Sequence, residues 1–217
     1  MEVTGYVVAI DGPGGSGKTT IARSVAVELQ LPHLDTGAYY RAATVAVLRA
    51  GMDCDDQEAV AELVRTVELR YDRGRMMLNE EDVTDSIRSD QTTLAVSAVS
   101  AVPEVRRLMV QAQRNWVAER GGSAVVEGRD IGSVVFPNAA LKLFITARPE
   151  VRARRRAGQV AGDQGLIEQD LARRDTIDST RAVSPLQRAP DAIEVDTSDL
   201  SVDEVIARVL RLVAATR

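Results

Sequence analysis

An α/β fold, with a parallel β-sheet flanked by helices, is predicted by three features of the 217-residue sequence. Short apolar, β-branched runs alternate with helical patterns, the order expected of strands joined by helical crossovers. The first run, residues 3–10, passes into the glycine-rich DGPGGSGKTT and then into a helical pattern. No repeat or low-complexity linker breaks this order, so one domain spanning 1–217 with insertions is expected.

The elements follow in sequence. The first helix runs through Leu29, LPHLD (31–35) reads as a second strand, and TGAYYRAATVAVLRAG reads as a helix stopped by Gly51. After DCDD another helical stretch reaches about Thr66. Residues 67–90 alternate and turn at 72–74, which predicts a small antiparallel patch. A long helical stretch begins near Thr92, is punctuated at Pro103 in a first-turn position, and ends at Gly121 and Gly122. Residues 123–126, 141–146 and 192–195 read as strands. Between the last two lie an arginine-rich helix from about Pro149, the glycine-punctuated AGQVAGDQG, and a polar helix to about Thr180. The closing SVDEVIARVLRLVAA is amphipathic, with Ser201 as its N-cap.

Composition excludes several classes. Aromatic residues make up only 3%, so the core has to be built from Val, Ala, Leu and Ile. No apolar run approaches the ~18 residues of a membrane span. The opening MEVTGYVVAIDG lacks the basic start of a signal peptide, and Cys54 is alone, so no intrachain disulfide forms. A soluble cytoplasmic monomer without a membrane partner is expected. The net charge of −5 argues against a nonspecific nucleic-acid partner. Lys18 and Lys142 are the only lysines, and one of them lies in the strongest motif.

That motif is GPGGSGKT, residues 12–19, which fits G-x-x-x-x-G-K-[ST] between a strand and a helix. Glycines let backbone N–H groups converge on phosphate oxygens, and the helix start adds its positive dipole end. Gly12, Pro13, Gly14, Gly15, Ser16, Gly17, Lys18, Thr19 and Thr20 are therefore expected to hold the phosphates of ATP. Lys18 would reach the β- and γ-phosphates, and the Thr19 hydroxyl would ligate Mg²⁺. A guanine-reading N-K-x-D element is excluded because neither lysine has that context. A motor ATPase is disfavoured, since AVVEGRD reaches its aspartate only after Glu-Gly-Arg.

Four further blocks, LDTGAYYR (34–41), EDVTDSIR (81–88), EGRDIGSVVFP (127–137) and RRDTIDSTRAVSPL (173–186), follow the phosphate loop in order. Together the five blocks resemble bacterial cytidylate kinases, of the P-loop nucleoside monophosphate kinase family, over essentially the whole chain. The resemblance implies the NMP-kinase fold, with a small β-containing NMP-binding insertion at about residues 60–100 and a short lid at about 149–165. It implies γ-phosphate transfer from ATP with Mg²⁺ to CMP, and to dCMP if Asp178 reads only the 3′-hydroxyl.

By the same resemblance, Arg41, Arg129 and Arg181 hold the acceptor phosphate, where the planar guanidinium pairs bidentately with phosphate. Lys18, Arg129, Arg181 and Arg156 are implied as the catalytic cations. Asp130 and Ser97, with Ser100 as the near alternative, fall where the base is read, and Arg106 donates to the ring acceptors. Uracil would reverse that donor pattern and leave buried groups unpaired, at about 1–3 kcal/mol each. Arg174 and Asp178, at i and i+4 on one helix, would grip the sugar. Thr36, Tyr40 and Gly128 complete the implied CMP set. Asp35 is expected either to orient a Mg²⁺-bound water or to join acceptor binding, and His33 to be structural.

Residues 149–165 combine four arginines with three glycines, a composition suited to closing over ATP phosphates and excluding water. Arg152 and Arg156, at i and i+4, are the cations expected to face the phosphates. A kinase for UMP or shikimate on the same scaffold, and a slow regulatory ATPase, are the alternatives. The 67–90 insertion and the Ser97/Asp130 pair would have no purpose with shikimate, and the lack of aromatic stacking platforms disfavours a nucleic-acid-associated ATPase.

Overall fold

The computed structural model describes residues 5–158 and 163–216. Its first elements are β1 (Val7–Asp11), α1 (Lys18–Leu29), β2 (His33–Asp35), α2 (Thr36–Arg49), α3 (Gln57–Thr66), β3 (Leu69–Asp72), β4 (Arg75–Leu78) and β5 (Glu81–Asp82). A 3₁₀ turn (Ser86–Arg88), α4 (Asp90–Ala101), α5 (Pro103–Ala118), β6 (Ala124–Glu127), a wide π-type turn (Ile131–Val135) and β7 (Leu141–Thr146) follow. The chain closes with α6 (Pro149–Ala157), α7 (Gln164–Thr180), β8 (Ile193–Asp196) and α8 (Val202–Ala215). The described residues form two compact units, one from the chain up to His33 and from Arg120 onward, the other from Leu34–Glu119.

The first unit is organised by the sheet β2-β6-β1-β7-β8, in which β1 runs parallel to β6 and β7, and β8 parallel to β7. Strands covered on both faces read as unbroken apolar runs, which explains the wholly buried VVAID of β1 and AVVE of β6. Ile10, Leu143 and Ile145 pack with Ile21 and Val25 of α1 and with Val205, Val209 and Val213 of α8. The last helix is anchored by a capping box, in which Ser201 accepts from Glu204 N–H and Glu204 accepts from Ser201 N–H.

Two features differ from the sequence reading. Strand β1 begins at Val7, because the Tyr6 N–H turns to the Ser123 hydroxyl at 3.0 Å. Val3 and Thr4 lie outside the described residues, as do Gln159, Val160, Ala161 and Gly162 of the expected lid. The wide turn after β6 was not expected. There Val135 N–H donates to Asp130 O at 3.1 Å and Phe136 N–H to Ile131 O at 2.7 Å. A single turn of this kind carries no periodic signal.

In the second unit α2 is buried along most of its length, its alanines allowing close packing. The insertion expected at about 60–100 falls within this unit. Its antiparallel sheet β3-β4-β5 begins with a hairpin whose two turn residues, Arg73 (φ 45°) and Gly74 (φ 81°), have the positive φ of a tight two-residue turn. Trp116 locks this sheet to α5, its Nε1–H donating to Tyr71 O at 2.7 Å with the two rings 6.1 Å apart. The long stretch read through Pro103 is two helices. Val102 is extended because the residue before a proline is pushed out of the helical region, and Pro103 opens α5.

Candidate active site

The glycine loop joins β1 to α1 in a backbone path that side chains would block. Gly12 has φ 145°, and a Cβ there would meet Ile145 O at 2.1 Å; Gly15 has φ 74° and abuts Arg152. Ser16 Oγ and Lys18 Nζ both donate to Pro13 O, at 3.0 and 2.6 Å, which tightens the loop around its own side chains. Lys18 is buried. Burial, and then the neighbouring Arg129 charge, lower its ammonium to about 7. Such a lysine gains from an incoming polyanion. Thr20, in the first turn of α1, is exposed.

Glu127 closes β6 against this loop. Its Oε2 accepts from Thr19 Oγ1 at 2.8 Å, and its Oε1 lies 3.0 Å from His33 Nε2. Because Thr19 gives its proton to Glu127, its lone pairs are left for a cation. Among the described residues no cluster of three or more His, Cys, Asp or Glu side chains is arranged to hold a metal. The Thr19 hydroxyl fits an ion that arrives with phosphates and takes one hydroxyl ligand.

Helices α6 and α7 bring cations and a carboxylate to the same loop. Arg152 donates from NH1 to Gly14 O at 3.0 Å and pairs with Asp175, whose Oδ1 accepts from Gly14 N–H at 3.3 Å. Arg155 donates to Ser16 O at 3.3 Å and to Thr197 Oγ1 and O at 2.8 and 2.7 Å. Arg156 follows on α6, partly buried.

The residues of the first unit expected to hold the acceptor are centred on Asp178. Its Oδ2 accepts from Arg129 Nε at 3.0 Å and its Oδ1 from Arg181 NH1 at 3.3 Å. Arg181 also donates from Nε to Ser184 O at 2.5 Å, which pins the segment following α7. Arg174 pairs with Asp170 at 3.4 Å. Gly128 N–H donates to Ile10 O at 3.0 Å, continuing β6 along β1, and the buried Asp130 opens the wide turn. Beneath it, Asp11 accepts from the Ile131 and Gly132 N–H groups, both at 2.8 Å.

The residues in the second unit form two groups. Tyr40, Ser97, Ser100 and Arg106 are buried together: the Arg106 guanidinium lies 5.1 Å from the Tyr40 ring centre and donates to Ser100 O at 3.2 Å, and Ser100 Oγ donates to Ser97 O at 3.2 Å. Arg41 donates from NH1 to Thr93 Oγ1 at 3.1 Å and Ile87 O at 3.4 Å. Asp35, beside the buried Thr36 that starts α2, pairs with Arg88 at 3.3 Å.

A model of the family described as Cytidylate kinase matches residues 8–215. The chain belongs to the cytidylate kinase family. It is 52% identical over 216 residues to the cytidylate kinase of Mycobacterium leprae (strain Br4923), covering 97% of this chain and 96% of that one. It is 42% identical over 215 residues to the cytidylate kinase of Carboxydothermus hydrogenoformans, covering 95% and 96%. Among solved structures, a gluconokinase from Sinorhizobium meliloti 1021 matches with a TM-score of 0.53 at 12% identity, covering 97% of this chain and 92% of that one. That last likeness is one of fold alone.

Sequence reasoning passed over five residues that the fold places in this member of the cytidylate kinase family: Asp11, Glu127, Arg155, Asp175 and Arg88. Glu127 was set aside with AVVEGRD because no aspartate followed the strand directly, yet the strand itself ends on a carboxylate. Asp175 and Arg88 lie inside blocks already singled out, RRDTIDSTRAVSPL and EDVTDSIR. Arg155 is one of four arginines on a nine-residue helix, and only packing separates it from its neighbours.

Proposed function

We propose that this protein transfers the γ-phosphoryl group of Mg·ATP to a phosphate oxygen of CMP or dCMP, giving CDP or dCDP and ADP, in the pyrimidine nucleotide metabolism of the cytoplasm. The observation that carries the reading is the Arg129–Asp178–Arg181 group in a chain of the cytidylate kinase family with an intact phosphate loop. One carboxylate holds two guanidinium groups side by side, and the planar guanidinium fork is the group that pairs bidentately with phosphate. The protein acts as a monomeric single kinase domain, with the NMP-binding insertion at about 60–100 and the lid at about 149–165.

The chemistry asked of the side chains is positioning and charge. The loop of residues 12–20 holds the triphosphate, Lys18 follows the γ-phosphoryl group, and Thr19 would hold a Mg²⁺ ion, which would supply charge neutralisation to the phosphate oxygens. Arg152 and Arg156 serve the ATP phosphates, and Arg41, Arg129 and Arg181 the acceptor phosphate. A phosphate monoester brings its own nucleophilic oxygen, so no side chain has to act as a strong base. Asp130, Ser97 and Arg106 read the cytosine edge, and Asp178 with Arg174 the sugar. Asp35, Thr36, Tyr40 and Gly128 complete the CMP set.

The test is ADP production from Mg·ATP with CMP, dCMP, UMP, AMP, GMP and shikimate at equal concentration. Turnover confined to CMP and dCMP is expected. UMP matching CMP would leave a kinase but remove the roles given to Arg106 and Asp130. A dCMP rate below about one-hundredth of the CMP rate would remove the reading of Asp178 as a 3′-hydroxyl partner. Turnover with none of the acceptors would overturn the assignment.

A further inference from the structure

We infer that Asp11 is a positioning residue for the acceptor side: it fixes the segment that carries Arg129 and Asp130. This rests on the CMP reading of those two residues. Asp11 closes β1 one residue before the glycine loop, so its backbone belongs to the donor side. Its side chain points the other way. The two carboxylate oxygens are divided between two successive backbone N–H groups, Ile131 to Oδ1 and Gly132 to Oδ2, each at 2.8 Å. These are the first residues after Asp130, and both are buried.

Three observations make this a built support rather than a loop contact. Asp11 is only 4% exposed, and a carboxylate is kept in such a place only when its lone pairs are used. The N–H groups it accepts belong to the first turn of the wide helix, where no residue inside the turn can take them. Gly132 is packed so closely that a Cβ would lie 3.1 Å from the Lys142 side chain and 3.4 Å from Asp11 Oδ2. The turn is thereby held between Lys142 of β7 and Asp11 of β1. Lys142 is itself fixed by Asp191 at 2.8 Å. A carboxylate can fill both acceptor positions, whereas an amide can fill only one, since its other terminal atom is a donor.

The test is steady-state kinetics of Asp11→Asn and Gly132→Ala with CMP and ATP varied separately. Both variants perturb the same turn, one by removing an acceptor and one by crowding it. The KM for CMP is expected to rise about tenfold or more, with the ATP KM within about threefold of wild type. Equal rises in both KM values, or a rise for ATP alone, would show that Asp11 serves the glycine loop and would overturn the inference. So would an unchanged CMP KM in both folded variants. Hydrogen exchange on the wild-type protein needs no variant: slow exchange at the Ile131 and Gly132 amides is expected, and rapid exchange at both would equally overturn it. A wild-type enzyme without CMP turnover would instead sink the functional reading. A CMP-active wild type whose variants lack the split would sink only the role of Asp11.

Discussion

Arg129 and Asp178, 49 residues apart in the chain, meet at 3.0 Å between Nε and Oδ2. The same carboxylate takes Arg181 through Oδ1, so α7 holds two guanidinium groups with one side chain. Removing its charge is expected to release both. Asp178→Asn should lower kcat/KM for CMP by about 10- to 100-fold, the loss of one to two charge-assisted hydrogen bonds, with a smaller change in ATP KM. Steady-state kinetics with each substrate varied measures this. An unchanged CMP constant would mean that the pair is structural only.

Lys18→Met is expected to lower kcat by about 10²- to 10³-fold, the range found when one preorganised donor to a developing charge is removed. The protein should stay folded, since Met replaces a buried ammonium without stranding a partner carboxylate. A single-turnover assay with a thermal melt run alongside checks both halves.

Burial, with the Arg129 charge second, holds Lys18 at about 7 rather than 10.5, so protonated Lys18 opposes folding. Below about 7 both folded and unfolded chains carry the proton and the full penalty is present. As pH rises from about 7 to 10.5 the unfolded chain still binds the proton and the folded one does not, so this group adds stability over that window. The triphosphate reverses the shift by adding negative charge beside the ammonium. ATP binding at pH 8 should therefore take up a proton, seen in calorimetry as an enthalpy that varies with buffer ionisation heat. Proton release would contradict the geometry.

Arg106→Met removes the donor to Ser100 O while keeping an apolar contact with Tyr40. The preference for CMP over UMP is expected to fall about tenfold or more, because the ring acceptors of cytosine lose their donor. Paired kcat/KM values for the two acceptors decide it.

Ser201→Ala breaks the capping box of α8, in which no residue given a catalytic role takes part. A loss of about 1 kcal/mol in stability is expected, with kcat and both KM values unchanged. Urea denaturation of the nucleotide-free protein supplies the number.

The alternation of strands and helices, the glycine loop and the hairpin at 72–74 were legible because each depends on residues close in sequence. The break at Pro103 was visible as a punctuation, and only the conformation of Val102 divided the stretch into two helices. The wide turn after β6 was not legible, since five residues give no period to read.

By itself the sequence determined the strand–loop–helix proposed to bind phosphate, because glycine conformations, a proline and a helix start are local properties of the chain. It also singled out the blocks from which the proposed acceptor residues come. Which arginine faces which carboxylate was decided only by the tertiary structure. Thr19 meets Glu127 across 108 residues and Asp11 meets Ile131 across 120, both because the sheet sets β6 beside β1. Strand order is fixed by burial of whole apolar faces, and a polar side chain's partner is whatever that packing brings within reach.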